Sequence, residues 1–292
     1  MKVLITGANG QVGRELTAIA HQLEIDHVSY NRAQLDITDA IAIQAMIDEQ
    51  KPDVVINAAA YTAVDAAEND SDAAFSVNRD GVENLALSCR SSDIPLLHIS
   101  TDFVFDGKKS GAYKEDDKTN PLSVYGVSKL AGEEVLRATC DKHIILRTSW
   151  VYSVHGDNFV KTMLRLMRER DQLQVVDDQW GCPTSAQSIA VTLLAIASTV
   201  VEKGVEAWGV YHFCSSGRTS WYAFAKEILR LASEKECLDI SMTPVSSEQW
   251  ESPAIRPKNS ELSTKKLERT FGIEIEPWQD QLSSVISSLN AI

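Results

Sequence analysis

The first residues of the chain constrain its fold more than any other stretch. A short apolar segment from Lys2 to Thr6 runs into the glycine-rich sequence GANGQVG at positions 7–13, and helical periodicity follows from Arg14 to Leu23. A strand, a glycine turn and a helix in this order let the backbone approach a pyrophosphate, whose charge the helix N-terminus favours. Glycine turns also end strands for purely structural reasons, but this position and context favour a dinucleotide site.

Further apolar segments alternate with helical ones as far as Thr148. Strands are predicted over 26–30, 52–57, 94–100 and 143–148, and helices over 40–50, 73–92 and 124–137. This alternation indicates an α/β fold with a doubly wound parallel (Rossmann) sheet, in which ligands bind at the carboxyl ends of the strands. The residues expected at those ends are Gly7, Arg32, Ala58 and Thr101.

The pattern loosens after Thr148, where helices and strands become shorter and less regular. Residues 1–149 are predicted to form the dinucleotide-binding domain, and residues 150–292 a smaller α+β domain that binds the substrate. A later strand near 209–214 is expected to return to the sheet. The two domains would then be interleaved along the chain.

The end of the second predicted strand bears on the choice of cofactor. It carries Asn31 and Arg32 rather than an acidic residue. An Asp or Glu there would bind the adenosine ribose and repel a 2′-phosphate, whereas an arginine can accept that phosphate. We therefore expect NADPH, with NADH as a weaker alternative; the competing interpretation is that Arg32 is an ordinary solvated side chain.

A tyrosine and a lysine lie four residues apart on the helix predicted over 124–137. Tyr125 and Lys129 share one helix face, where the ammonium would lower the pKa of the phenol toward neutrality. Thr101, at the end of the apolar run before this helix, adds a hydroxyl. An isolated Y-x-x-x-K pair is usually helix surface, so its position after the fourth strand carries the catalytic interpretation.

Composition and charge exclude several classes of protein. The formal net charge of −13 argues against binding to nucleic acid, which needs a basic surface, and an anionic ligand would need a local basic pocket. The five cysteines are scattered without metal-ligand spacing and are expected to be reduced thiols. No apolar run reaches the length of a membrane span and no signal peptide is evident, so we expect a cytoplasmic protein without a membrane partner.

Nine motifs, in order along nearly the whole chain, resemble those of the extended short-chain dehydrogenase/reductase family. They are GANGQVG, INAAAYTAVDAAE, VN at 77–78, STDFVFDG, PLSVYGVSKLAGE, LRTSWVY, NFVKTML, DQWGCPTSA and RPKNSEL. Within this family the likeness is to reductases of nucleotide-linked 4-keto-sugars. It implies reduction by NADPH of the C4 keto group of a dTDP-linked 6-deoxy sugar, so that the partner is a small-molecule nucleotide sugar.

The resemblance also implies a set of site residues. Thr101, Tyr125 and Lys129 would be catalytic, with Tyr125 as the proton donor. The implied cofactor-binding residues are Gly7, Asn9, Gly10, Gln11, Val12, Gly13, Arg32, Asp36, Ile37, Ala58, Ala59, Ala60, Tyr61, Asn78, Ser100, Tyr125 and Lys129. The implied substrate-binding residues are Thr101, Asp102, Trp150, Asn158 and Arg256.

Two departures from relatives refine these expectations. Dehydratases of the superfamily carry a Glu after the Thr-Asp pair, where this chain has Phe103, which favours plain reduction over elimination of water. Some family members form dimers through Mg²⁺ held by two glutamates. Glu15 matches the first, but Gln187 stands at the second, and a neutral amide is a weak ligand for a hard cation. We therefore expect no metal, a monomer or weak homodimer, and an ordinary exposed Glu15.

Three alternatives stay open at this point. The chain resembles reductases of other nucleotide-linked 4-keto-sugars, and its residues do not reveal the base or the sugar stereochemistry. The regulatory subunit of methionine adenosyltransferase, a non-catalytic binding protein, belongs to the same family. The third alternative is a nucleotide-sugar epimerase, although the Ser-Ser-type run usual before the active residue is not evident.

Overall fold

The computed structural model describes residues 1–289. The strands are β1 (Lys2–Thr6), β2 (Asp26–Tyr30), β3 (Val54–Asn57), β4 (Leu96–Thr101), β5 (His143–Thr148), β6 (Val151–Tyr152), β7 (Gln172–Val176), β8 (Trp180–Gly181), β9 (Thr184–Ser185), β10 (Gly209–His212), β11 (Thr219–Ser220) and β12 (Ser241–Val245). The helices are α1 (Gln11–Gln22), α2 (Ala40–Gln50), α3 (Val64–Ala67), α4 (Ser71–Phe75), α5 (Gly81–Ser91), α6 (Val124–Thr139), α7 (Phe159–Glu169), α8 (Ala186–Glu202), α9 (Trp221–Ser233), α10 (Lys265–Phe271) and α11 (Trp278–Leu289).

Six strands form one sheet in the order β10-β5-β4-β3-β1-β2, and every pairing in it is parallel. The chain moves outward from β1 to β2 and then crosses to β3 on the other side, so the order reverses between β1 and β3. That reversal opens a crevice at the carboxyl ends of the strands. The predicted doubly wound parallel sheet is confirmed.

The sheet is covered on both faces because the side chains of each strand alternate between them. On one face Val3 and Ile5 of β1 pack with Leu16 of α1 and Leu193 of α8. On the other face Leu4 packs in a cluster that α2, α5 and α6 complete. β3 and β5 are buried along their whole lengths, which explains their nearly continuous apolar sequences.

A second core lies among the later elements. Buried side chains of α7, α9 and α11 surround Leu173 and Val175 of β7, which pairs in parallel with β12. Yet α8 packs on α1, and β10 pairs with β5, so the second half of the chain also contributes to the sheet layer. The proposed boundary near residue 149 stays a prediction.

The predicted helix over 73–92 is divided in the structure. α4 and α5 are separated by a π-helical turn over Ser76–Asp80, which inserts an extra residue into the helical repeat. This turn places the side chain of Asn78 in the interior, where it is 1 % exposed. Helix α1 also begins at Gln11 rather than at Arg14, because the glycine turn passes directly into it.

Within residues 1–289, none of the helices combines the length and the apolar character that crossing a membrane requires.

Candidate active site

The glycine turn after β1 lies directly against the end of β3. Gly7 has a φ of +70°, and a Cβ at this position would lie 2.5 Å from the backbone nitrogen of Ala59, so only glycine is accommodated without strain. Gly10 precedes α1 without a side-chain cap, and the first turn of α1 carries no acidic residue. The N-terminal N–H groups of α1 therefore face this crevice without a side-chain acceptor from the cap, as a phosphate site requires.

The loop after β2 holds Arg32 at the surface. Its side chain is 82 % exposed, with Nε 3.3 Å from the Asp36 carboxylate. The pKa of Asp36 is lowered, chiefly by a hydrogen bond from the Thr38 backbone N–H and also by one from the Thr38 hydroxyl. Burial has the opposite effect and is outweighed. The carboxylate of Asp36 is thus already committed within its own loop, and the cofactor contacts predicted for Arg32 and Asp36 stay predictions.

Asn78 connects the end of β3 to α6. Its side-chain oxygen accepts from the Tyr61 backbone N–H at 2.9 Å, and its amide nitrogen donates to the Tyr61 carbonyl and to Ser128 Oγ, both at 3.0 Å. The segment from Ala58 to Tyr61 is thereby fixed relative to the helix that carries Tyr125. Asn78 supports this crevice through protein contacts.

Thr101, Tyr125 and Lys129 are brought to one place by β4 and α6. Thr101 is the last residue of β4, and α6 begins one residue before Tyr125, capped by the Ser123 hydroxyl. At Gly126 the helix approaches the backbone of Phe103 so closely that a Cβ would collide with its carbonyl oxygen. This contact, which the sequence analysis missed, holds the start of α6 against the end of β4.

The phenol of Tyr125 is half-buried near Thr101 and Asp102. Burial raises its pKa to about 12, the Thr101 hydroxyl opposes this effect and the Asp102 carboxylate adds to it. The ring of Phe103 meets that of Tyr125 edge-on, with centroids 5.5 Å apart. The proton-donor role of Tyr125 stays a prediction.

The amine of Lys129 contacts two residues of β4. Its Nζ donates to the Ile99 carbonyl at 2.7 Å and lies 3.2 Å from Nε2 of His98, so it points toward β4. Burial lowers the pKa of Lys129 to about 8, with Glu133 opposing. Burial is the largest influence on the pKa of both Tyr125 and Lys129. The lowering of the Tyr125 pKa by Lys129 stays a prediction.

Asp102 places an acid beside Tyr125. It is 3 % exposed; its Oδ1 accepts from Thr101 Oγ1 at 3.1 Å, and among residues 1–289 nothing hydrogen-bonds to its Oδ2. Burial raises the pKa of Asp102 to about 6, although the hydroxyls of Ser260 and Thr101 act to lower it. The orphaned oxygen indicates that this carboxyl serves a ligand or a proton rather than the fold alone.

An ion pair beneath the site was also missed. Glu133 and Arg147 are buried, with Arg147 Nη2 2.6 Å from Glu133 Oε2, and Ser100 Oγ donates to the other carboxylate oxygen at 2.6 Å. Glu133 follows Lys129 by four residues on α6, and this spacing could have placed it on the same inward face. The pair ties α6 to β4 and β5, and Ser100 is occupied by it.

A cavity of about 1050 Å³ lies between α7, β7 and the segment around residues 247–258. Thr101, Tyr125 and Lys129 do not line it, but Leu122, three residues before Tyr125, does.

Lys108, Arg256 and Lys258 contribute cations to the lining of this cavity. Arg256 also pairs with Asp65 of α3 at 2.7 Å, and this contact lowers the pKa of Asp65. The lining also carries the carboxylates of Asp106 and Glu248, and Lys258 lies 3.4 Å from Asp178, so its excess of positive charge is small. A basic pocket for an anionic ligand stays a prediction.

Two predicted substrate residues, Trp150 and Asn158, adjoin residues of this lining. The indole of Trp150 stacks on Trp221, with centroids 3.5 Å apart, and it is Trp221 that faces the cavity. Asn158 caps α7 by accepting from Lys161 N, and its amide nitrogen donates to Gln11 at 3.0 Å. The structure thus brings Arg256 to the cavity and gives Trp150 and Asn158 supporting contacts.

Glu15 differs from the sequence-based expectation. Its side chain is only 14 % exposed, its Oε1 accepts from Ser153 Oγ at 2.8 Å, and His155 Nε2 lies 3.9 Å away. Glu15 is therefore not an ordinary exposed helix residue, because it links α1 to the segment after β6. Gln187 is exposed. Among residues 1–289 no cluster of three or more His, Cys, Asp or Glu side chains could hold a metal ion.

Comparisons with known proteins place these features in context. The family model described as RmlD substrate binding domain matches residues 1–291. A dTDP-4-dehydrorhamnose reductase of Sinorhizobium fredii is 42% identical over 290 residues, covering 99% of this chain and 98% of the relative.

Two solved structures are similar along the whole chain. That of a dTDP-4-dehydrorhamnose reductase from Clostridium acetobutylicum has a TM-score of 0.92 and 41% identity, covering 99% of this chain and 100% of that one. That of the Bacillus anthracis dTDP-4-dehydrorhamnose reductase, in complex with NADP, has a TM-score of 0.91 and 35% identity, covering 98% and 99%.

Proposed function

Because the chain belongs to the RmlD substrate binding domain family, we propose that it is a dTDP-4-dehydrorhamnose reductase that uses NADPH. The observation that carries this proposal is the placement of Tyr125, at the start of α6, beside Thr101 at the carboxyl edge of the sheet. Reduction of a ketone needs a proton donor at that edge, next to the glycine turn that would hold the cofactor.

The chain's own residues would complete the reduction that the cofactor begins. NADPH, when bound, supplies the hydride to C4 of the sugar. Thr101 and Tyr125 would hydrogen-bond the C4 oxygen, and Tyr125 would give it a proton as negative charge develops there. A phenol with a raised pKa suits this role, since it keeps its proton until a stronger base, the alkoxide, forms beside it.

Phe103 separates this chemistry from dehydration. An elimination of water needs an acid and a base close together, whereas here an aromatic ring follows Asp102 and packs on Tyr125. Asp102, with its orphaned oxygen, would then bind a sugar hydroxyl.

The cavity is the proposed place for the nucleotide sugar. Arg256 and Lys258 would face the diphosphate, since a guanidinium matches phosphate oxygens. Asp65 holds Arg256 in position through their ion pair. Trp150 and Asn158 would act on the substrate indirectly, Trp150 by supporting the indole of Trp221.

The test monitors NADPH oxidation with enzymatically prepared dTDP-4-dehydrorhamnose. Tyr125→Phe should lower kcat by about a hundredfold or more, the usual contribution of a positioned general acid. Tyr211→Phe is the matched control, because it removes a phenol that bonds the Ala207 carbonyl away from the site, and its kcat should match that of the unchanged protein.

Two results would contradict the proposal. Absence of oxidation by the unchanged protein would exclude this substrate, and a UDP-linked 4-keto-sugar reduced more efficiently would favour the alternative sugar nucleotide. Full activity in Tyr125→Phe would remove Tyr125 from its assigned role.

A further inference from the structure

Helix α6 directs two buried charged side chains to the same face of β4. Lys129 Nζ lies 3.2 Å from Nε2 of His98. Glu133 Oε1, one turn further along α6, accepts from Ser100 Oγ at 2.6 Å. Because His98 and Ser100 are two residues apart on β4, their side chains share one face of the sheet and are about 7 Å apart along the strand. The charged ends of Lys129 and Glu133 are therefore close to each other.

Burial strengthens the interaction between these two charges. Lys129 is 2 % exposed and Glu133 is fully buried, so little water screens them. Burial lowers the pKa of Lys129 to about 8, and Glu133 acts to raise it. The ammonium of Lys129 thus predominates at neutral pH, with the Glu133 carboxylate to offset the cost of its burial.

The carboxylate of Glu133 is shared with Arg147 of β5. Arg147 Nε lies 2.8 Å from Oε1 of Glu133, and Nη2 lies 2.6 Å from Oε2. Arg147 is itself 2 % exposed, so the whole bidentate pair is buried. Its positive guanidinium offsets part of the negative charge that acts on Lys129. The ion pair therefore governs how strongly Glu133 favours the ammonium.

The other ionisable groups around Lys129 do not replace Glu133 as a counter-charge. His98 of β4 is neutral, because burial and, secondarily, Lys129 hold its pKa well below the ordinary range. Tyr125, four residues earlier on α6, has a pKa raised by burial and carries no charge at neutral pH. Asp102, after β4, acts on the pKa of Tyr125 rather than on that of Lys129.

Two further groups lie near Arg147. His212 Nε2 of β10 is 3.4 Å from Arg147 Nη1, and burial, with help from Arg147, lowers the pKa of His212 to about 3, so this ring is neutral. Glu115 accepts from the His212 backbone N–H at 3.2 Å and feels the charge of Arg147 only as a minor influence on its pKa. Glu133 is the carboxylate that Arg147 contacts directly.

We propose that Glu133 is a positioning residue that keeps the buried Lys129 charged, and that Arg147 limits this effect by binding the same carboxylate. The three residues hold an ammonium beside the site while they tie α6 to β4 and β5. The part that Lys129 plays in catalysis rests on the proposed function, whereas the charge relation among the three residues does not.

The first test measures the charge of Lys129 in the protein without substrate or cofactor. Titration of ¹³Cε-labelled lysine follows the Lys129 signal, which Lys129→Met assigns. Glu133→Gln removes a charge with almost no change in size, so the pKa of Lys129 should fall by about one pH unit or more. Glu134→Gln is the matched control, because it removes an exposed carboxylate from the same helix and should leave that pKa unchanged. A Lys129 pKa that stays constant or rises in Glu133→Gln would overturn the proposal.

The second test separates charge from packing and also covers a Glu133→Gln protein that fails to fold. Removing one member of a buried pair leaves the other uncompensated, whereas Glu133→Gln combined with Arg147→Met removes both charges together. In this double variant the pKa of Lys129 should lie between those of Glu133→Gln and of the unchanged protein. A value at or above that of the unchanged protein would refute the proposal, and equal values in the two variants would refute the part assigned to Arg147.

The pH profile of kcat relates this charge to the reaction. If Lys129 acts as an ammonium, activity falls as the pH rises through its pKa, so the alkaline limb should move to lower pH in Glu133→Gln. A loss of stability alone would reduce the amount of active protein without moving this limb. A limb that does not move would overturn the link to catalysis. The expected titration in a protein without reductase activity would refute only the proposed function.

Discussion

At the scale of single residues, burial decides the chemistry more than charge does. The sequence indicated that Tyr125 and Lys129 would share a helix face, and this placement needed only a helical spacing of four. It could not indicate the direction of Nζ, because His98 and Ile99 meet Lys129 only after β4 and α6 pack. The orphaned oxygen of Asp102 was equally beyond a sequence-based prediction.

The raised pKa of Asp102 predicts a pH-dependent cost to stability. Its pKa is about 6 in the folded protein, against 3.8 for an ordinary exposed aspartate. Below pH 3.8 the carboxyl is protonated in both the folded and the unfolded chain, and Asp102 then contributes most favourably to stability. That contribution is lost as the pH rises through about 6, the pKa in the folded protein. Asp102→Asn should therefore raise the free energy of unfolding relative to the unchanged protein. This increase should be about 1 to 1.5 kcal/mol larger at pH 8 than at pH 5.

Urea unfolding at the two pH values measures this difference. The exposed carboxylate of Asp26 supplies the control substitution, Asp26→Asn, for which little pH-dependent gain is expected. An equal gain for Asp102→Asn at both pH values would show that its carboxyl does not change protonation between them.

Arg32 gives a prediction about cofactor choice. Its exposed guanidinium, paired with Asp36 in the same loop, can receive a 2′-phosphate. Arg32→Ala should lower the ratio of kcat/KM for NADPH to that for NADH by about tenfold, the value of one lost charge-assisted contact. Steady-state kinetics with both cofactors measure it, with exposed Arg90→Ala as the control; an unchanged ratio would exclude the contact.

At the scale of elements, the regular strands and helices were predictable and the irregular ones were not. β2, β5 and α2 have the predicted bounds, since each combines a clear period with clear ends. The π-helical turn over Ser76–Asp80 depends on tertiary contacts of Asn78 with Tyr61 and Ser128, which no local pattern records. The two-residue strands β8, β9 and β11 likewise exist only through their partners.

Helix α6 crosses this π-helical turn so closely at Gly132 that no larger residue should be tolerated there. A Cβ at Gly132 would collide with the carbonyl oxygen of Asn78. Gly132→Ala should lower the unfolding free energy by about 2 to 3 kcal/mol, although alanine favours an unconstrained helix. Urea unfolding measures the loss, with Glu134→Ala on the exposed face of α6 as the control; a more stable Gly132→Ala would contradict the close approach.

At the scale of the whole molecule, the alternation of strands and helices predicted the sheet topology, and a strand near 209–214 was expected to return to the sheet, as β10 does. The side-chain contacts between distant segments were not predictable. Arg256 reaches Asp65 across 191 positions of sequence, and Gln11 meets Asn158 across 147. Of these four residues, Arg256 lines the cavity. The motif resemblance pointed to Arg256 and Trp150, while Trp221, which lines the cavity and stacks on Trp150, was not predicted.

The state of assembly is a prediction at this same scale. Gln187 offers an amide where a metal-linked dimer needs a carboxylate, and Glu15 is engaged by Ser153. Light scattering should therefore give the same mass with Mg²⁺ and with EDTA. A dimer that dissociates in EDTA would show that the metal binds without a second glutamate, and Gln187→Glu supplies the comparison.

The pairing of β10 with β5 has a consequence for the newly made chain. Until residue 212 has left the ribosome, β5 is an edge strand with the sequence HIILRT, and the face that α8 covers is bare. Unpaired apolar edges recruit other strands. We expect nascent chains halted near residue 149 to aggregate or to be held by chaperones, so that completion of the sheet, rather than of the first half of the sequence, marks the earliest soluble folding unit.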